Sequence, residues 1–153
     1  MNEIDLIKDQ IEKAFYGGAW HGPSIMEVLG NISAEEAASK PVKNVHSIWE
    51  ITLHINTWQS VTQKRIEGKN IEPSPEEDWP EVKNISQNSW ENTISTLKES
   101  MTSLIECVSK LNDNILYENI AGRNYTYYFL LHGLVQHDVY HAGQISILKK
   151  ALS

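Results

Sequence analysis

From Trp90 to Leu111 the chain repeats one pattern without a break: Trp90, Ile94, Leu97, Met101, Leu104, Val108 and Leu111 alternate spacings of four and three. Only an α-helix returns a side chain to the same face at that interval, and an apolar stripe of this kind has to be covered by other helices. Weaker versions occur elsewhere. Ile4, Ile7, Ile11 and Phe15 predict a helix over about residues 3 to 16, which Gly17 and Gly18 end. Ser47 and Glu50 have capping-box spacing ahead of Ile51, Ile55, Trp58 and Val61, predicting a helix over about 47 to 67. Leu130, Leu134, Ile145 and Leu148 mark a last helix over about 126 to 150, with Lys149 and Lys150 at its negative pole. Four amphipathic segments predict an all-α four-helix bundle, a single domain over residues 1–153.

The connectors carry weaker signals. Pro23 is placed to open a short helical stretch through Leu29, and Ser33 with Glu36 predicts a brief helical turn before Pro41. Residues 69 to 85 contain Pro73, Pro75 and Pro80 and are expected to wrap the surface as an acidic loop. Gly122-Arg123-Asn124 sits between two aromatic or β-branched runs and could turn a small hairpin.

Thirteen basic residues stand against twenty acidic ones, and the resulting charge of −7 repels phosphate backbones, which argues against nucleic acid as a partner. The first residues lack the basic-then-apolar order of a signal peptide, and the apolar stretch around Tyr125 to Val135 is too short to span a bilayer, so a cytoplasmic protein is expected. Cys107, the one cysteine, has no disulfide or zinc-ribbon partner in the chain and lies beside its helix's stripe, as a small buried hydrophobe would.

The chemistry lies in the histidines. Continued at its own spacing, the last helix's stripe runs Leu130, Leu134, His137, His141, Ile145, Leu148, so two imidazoles take aliphatic positions. Four residues apart, they can converge on one ion. On the second long helix His54 stands among Ile51, Trp58 and Val61 in the same way. Three neutral imidazoles without an obvious fourth ligand make an open metal site, the kind that supports catalysis rather than scaffolding. A lone buried histidine is more often a hydrogen-bonded core residue, and the case rests on all three agreeing in phase.

Around them, His137-Asp138-Val139-Tyr140-His141 differs by one methylene from the zinc-protease motif, so Asp138 is a candidate catalytic base or support for the ligands; the alternative is a solvated helix residue. Gln144, one turn beyond His141, could hydrogen-bond a ligand or substrate, or be satisfied by backbone. Trp20, His21 and Trp58 could line a substrate pocket, or be core tryptophans and a turn histidine. Arg123 and Tyr125 could meet an anionic substrate, or simply build a surface hairpin. His46 and His132 fall outside the metal phase and are expected to be structural.

Ala19-Trp20-His21-Gly22-Pro23-Ser24, His46-Ser47-Ile48-Trp49-Glu50 running to His54, and Gln136-His137-Asp138-Val139-Tyr140-His141-Ala142-Gly143-Gln144 together resemble the DinB/YfiT-like superfamily of metal-dependent enzymes over almost the whole chain. The resemblance implies a four-helix bundle, usually a homodimer, with zinc or nickel held by one histidine of the second helix and two of the last, which match His54, His137 and His141. It also implies a low-molecular-weight thiol as cosubstrate, since relatives include bacillithiol-type S-transferases and a mycothiol-dependent maleylpyruvate isomerase. Related sequences often carry Glu where Asp138 stands here. The expected function is therefore a metal-dependent enzyme that activates a thiol, or secondarily water, against a small electrophilic substrate. The alternatives are a bundle whose metal is structural or sensing, and an interaction module without metal.

Overall fold

A computed structural model describes all residues, 1–153. Five of its helices start at the same local device. Asn2, Ser24, Ser33, Ser47 and Ser74 each accept a backbone N–H three residues on, while Asp5, Glu27, Glu36, Glu50 and Glu77 reach back to the cap's own N–H. These boxes open α1 (Glu3–Tyr16), α2 (Ile25–Val28), α3 (Ala34–Ala38), α4 (Ile48–Ile66) and α5 (Pro75–Asp78). Ser86 and Thr126 cap the other two, α6 (Gln87–Ser109) and α7 (Tyr127–Ala151). The four long helices match the expected spans closely. The loop expected over 69 to 85 contains one helical turn, α5, because Ser74 caps it and Pro75 fits its first position.

The long helices form the bundle. α4 packs against α6 and α7, and α1 closes the opposite side against the same two helices. Ile7, Ile11, Phe15, Ile51, Ile55, Leu97, Met101, Leu104, Leu131 and Ile145 fill the centre, burying the stripes that set the helical periods. α2 and α3 plug one end. Trp90 donates its indole N–H to the Ile32 carbonyl at 2.8 Å, and Lys149 donates to the carbonyls of Val28 and Gly30 beyond α2. At the other end Asp113, in a 3-10 turn over Asp113–Tyr117, accepts the N–H groups of Glu3 and Ile4, both at 3.0 Å, and so fixes the start of α1.

The expected hairpin closes only as a miniature. Ile120 N–H donates to Tyr125 O at 2.9 Å and Tyr127 N–H to Glu118 O at 3.1 Å, around Gly122 at φ +72°. Cys107 is half-buried against the core, and burial raises its thiol pKa, as expected of a packing residue rather than a nucleophile. No helix is long and apolar enough to cross a membrane.

Candidate metal centre

α4 and α7 run side by side, and His54 projects from the first toward His137 and His141 of the second. His137 Nε2 lies 3.1 Å from His54 Nε2 and 3.0 Å from His141 Nε2. All three ligand atoms fall within 4.8 Å of one another. A tetrahedral ion about 2.0–2.1 Å from each nitrogen would set them about 3.4 Å apart, close to the two spacings that His137 makes.

The opposite ring nitrogens decide which atoms are free to bind. His54 Nδ1 donates to the Asp78 carbonyl at 2.8 Å and stands 3.1 Å from the Asp78 carboxylate. His141 Nδ1 donates to Gln144 Oε1 at 2.6 Å. Both bonds place the proton on Nδ1 and leave the Nε2 lone pair aimed into the cluster, the tautomer a ligand needs. His137 Nδ1 is buried without a partner. Burial, reinforced by the two neighbouring imidazoles, pushes the His137 pKa down to about 3; burial also lowers those of His54 and His141, against the opposing pull of Asp78 and Gln144. The cluster is thus neutral at physiological pH, and neutral imidazoles are what a cation binds.

Three imidazole Nε2 atoms crowded together suit a divalent ion, and no carboxylate or thiolate completes the set. The residues present therefore fit a metal held on three sides and accessible on the fourth. That access is a cavity of about 410 Å³ bounded by His54, His137, Trp58, Phe129 and Leu134, with Arg65 and Tyr125 farther in. On the other flank a recess of about 270 Å³ meets His141 and Gln144.

Trp79 lines this recess. Its indole stacks on His54 at 3.8 Å and 4°, and on His46 across its other face at 3.7 Å and 6°. Asp78, beside it, accepts the Trp58 indole N–H at 2.7 Å as well as supporting His54. Sequence reasoning missed both residues. The Ser74-Pro75-Glu76-Glu77 cap signalled a helical turn just ahead of them, but nothing local says that this turn folds back onto α4, where Thr57 anchors it through the Glu77 carbonyl at 2.8 Å.

The other candidates fall as follows. Trp58 lines the cavity, and Gln144 supports a ligand imidazole. Trp20 is 103% exposed and His21 sits exposed beside Pro23, so neither is a core residue and neither lines the cavity. Asp138 is not a solvated helix residue. It is wholly buried, because the α7 core stripe passes through Leu134, Asp138, Ala142 and Ile145, and His137 lies at that stripe's edge toward α4. Neither Asp138 oxygen has a hydrogen-bond partner, and the residue lines neither cavity beside the histidines, so the arrangement offers it no contact from which to act as a base there. Burial alone raises its pKa to about 8. His132 lies against Tyr128, its ring 4.2 Å away and tilted by 44°, apart from the centre as expected.

No curated protein and no solved structure matches the chain. The DinB superfamily matches over residues 20–145, a stretch that holds all three histidines, Asp78 and Trp79. A three-histidine cluster of this build, inside a helical bundle, fits a metal-dependent enzyme. The chain belongs to the DinB superfamily.

Proposed function

We propose that this protein is a metal-dependent enzyme that transfers a low-molecular-weight thiol of the bacillithiol type to a small electrophilic substrate, with hydrolysis as the second candidate reaction. The observation that carries the reading is the meeting of three Nε2 atoms beside a cavity that a small molecule can enter and that two of the rings, His54 and His137, line. A structural ion would have no use for such access. A divalent ion bound there, zinc or nickel, would act as a Lewis acid and lower the pKa of a thiol or water.

The chain's own residues do the rest. Asp78 and Gln144 hold two imidazoles in the tautomer and orientation required, and the stacked Trp79 keeps the His54 ring from turning. Trp58, Leu130 and Leu134 present apolar surface to the entering molecule and shed water from it. The resemblance further supports a homodimer. Phe129, Tyr140 and Ile147 remain exposed along α7 and offer a second copy an apolar face.

Elemental analysis of purified protein should find about one divalent ion per chain. His54→Ala and His141→Ala should each lose that ion and, with it, turnover of an electrophile in the presence of a bacillithiol-like thiol. A fully folded wild type that neither carries nor takes up metal would overturn the reading. Metal removal that lowers the melting temperature by many degrees, in a protein with no turnover and no exchangeable position in its cobalt form, would make the ion structural.

A further inference from the structure

The far end of the cavity carries groups that metal binding does not explain. Arg65 on α4 is 4% exposed, with its Cζ 5.4 Å from the centre of the Trp58 ring, and Trp58 is in turn 6.2 Å from the His137 ring. The guanidinium therefore stands only two ring-to-ring steps from the histidines. Its Nη1 donates to the Tyr125 hydroxyl at 2.8 Å, while Nε and Nη2 donate to the Ile71 carbonyl at 3.3 and 3.1 Å. The Tyr125 oxygen is thus an acceptor from Arg65, and its own proton makes no bond within the protein. Nη1 likewise keeps a second N–H.

The charge around this point is unbalanced. Arg65 and Arg123 share one carboxylate, Glu72, at 3.1 and 2.6 Å, and both donate to the same Ile71 carbonyl. The Glu72 side chain is 62% exposed and screened by solvent, and the other acid lining the cavity, Asp78, is engaged by the Trp58 indole and His54 beside the histidine cluster. In a chain of net charge −7, two guanidiniums meeting on a single exposed carboxylate leave Arg65 with donors to spare. A buried cation in an apolar enclosure favours an anion that can accept its hydrogen bonds.

We propose that Arg65 and Tyr125 form a carboxylate subsite, so that the molecule entering this cavity is a small carboxylate with an apolar body lying along Trp58 and Leu134. The inference rests on the proposed reading of the histidine cluster as a reaction centre. A carboxylate suits the site better than a phosphate. Two donors satisfy the facing oxygens of a monoanion, whereas a phosphate would leave further charged oxygens against Leu130, Leu134 and Phe129. One end of the substrate is then fixed by its charge and the other is delivered toward His54 and His137.

The test is calorimetric titration of the zinc-loaded protein with hydrocinnamate and with its neutral amide, repeated after chelation. The acid should bind at least tenfold more tightly than the amide in both forms. Tyr125→Phe removes a single oxygen, and its melting temperature serves as the folding control. It should weaken the acid about tenfold and leave the amide unchanged, the size expected for one hydrogen bond to a charged group. Equal affinity for acid and amide, no binding of either, or an acid preference untouched by Tyr125→Phe would overturn the subsite. Acid preference that disappears with the metal places the carboxylate on the ion; this too overturns the subsite but leaves the centre standing. Acid preference that persists in a protein unable to take up any divalent ion keeps the subsite and overturns the metal reading instead.

Discussion

A hydrogen bond to the second nitrogen fixes an imidazole for ligation, and the two of the three rings that have one are supported in different ways. His54 leans on a backbone carbonyl, which no substitution at Asp78 removes, and His141 leans on the Gln144 side chain. Gln144→Leu should therefore weaken zinc affinity by about 10–100-fold, measured by competition with a chromophoric chelator, whereas Asp78→Asn should cost less because the carbonyl remains. The three ligands were legible because two adjacent turns of α7 and one of α4 put imidazoles where aliphatic residues belonged. Asp78, Trp79 and Arg65 were not legible. Each acts across a gap in the chain, and a residue's spacing to its neighbours says nothing about a partner from another element. Asp138 misled for another reason: beside two histidines it looked functional or solvated, yet helical phase carries it into the core, where it meets no partner at all.

Among the elements, the long helices were legible to within about three residues because their stripes and caps agree. The miniature hairpin showed only through its turn residues, and α5 was not legible, since four residues give no period to count. These short pieces nevertheless shape the centre, because α5 presents Asp78 and Trp79 while the hairpin presents Arg123 and Tyr125. Gly122 is where the hairpin is most vulnerable. Its φ of +72° lies in the left-handed region, and the Asn70 side chain occupies the space a Cβ would take. Gly122→Ala should lower stability by about 1–3 kcal/mol in urea unfolding and loosen the cavity's Tyr125 end, with little effect on metal content, since no ligand comes from that turn.

For the molecule as a whole, the buried titratable groups of the metal-free form pull stability in opposite directions. His137 ionises at about 3 in the folded chain instead of 6.5, so as pH falls below 6.5 the unfolded chain takes up a proton that the folded one refuses, and stability drops; His54 and His141 add to this acid-side loss. Asp138 behaves inversely. Folded, it keeps its proton to about pH 8 instead of 3.8, so stability falls as pH rises through that window. With several imidazoles opposing one carboxyl, metal-free protein should be most resistant to urea near pH 6.5 and should weaken toward pH 8. Asp138→Asn should flatten the alkaline side of that profile and steepen the acid side above about pH 3.8, where the carboxyl no longer offsets the imidazoles.

The indole of Trp79, pressed flat against His54, has a practical consequence. Excited-state quenching by an open-shell cation acts over contact distances, so nickel or copper arriving at the cluster should dim the protein's ultraviolet emission, while closed-shell zinc should not. Trp79→Phe should blunt that dimming. The chain thus carries its own optical gauge of which metal it holds.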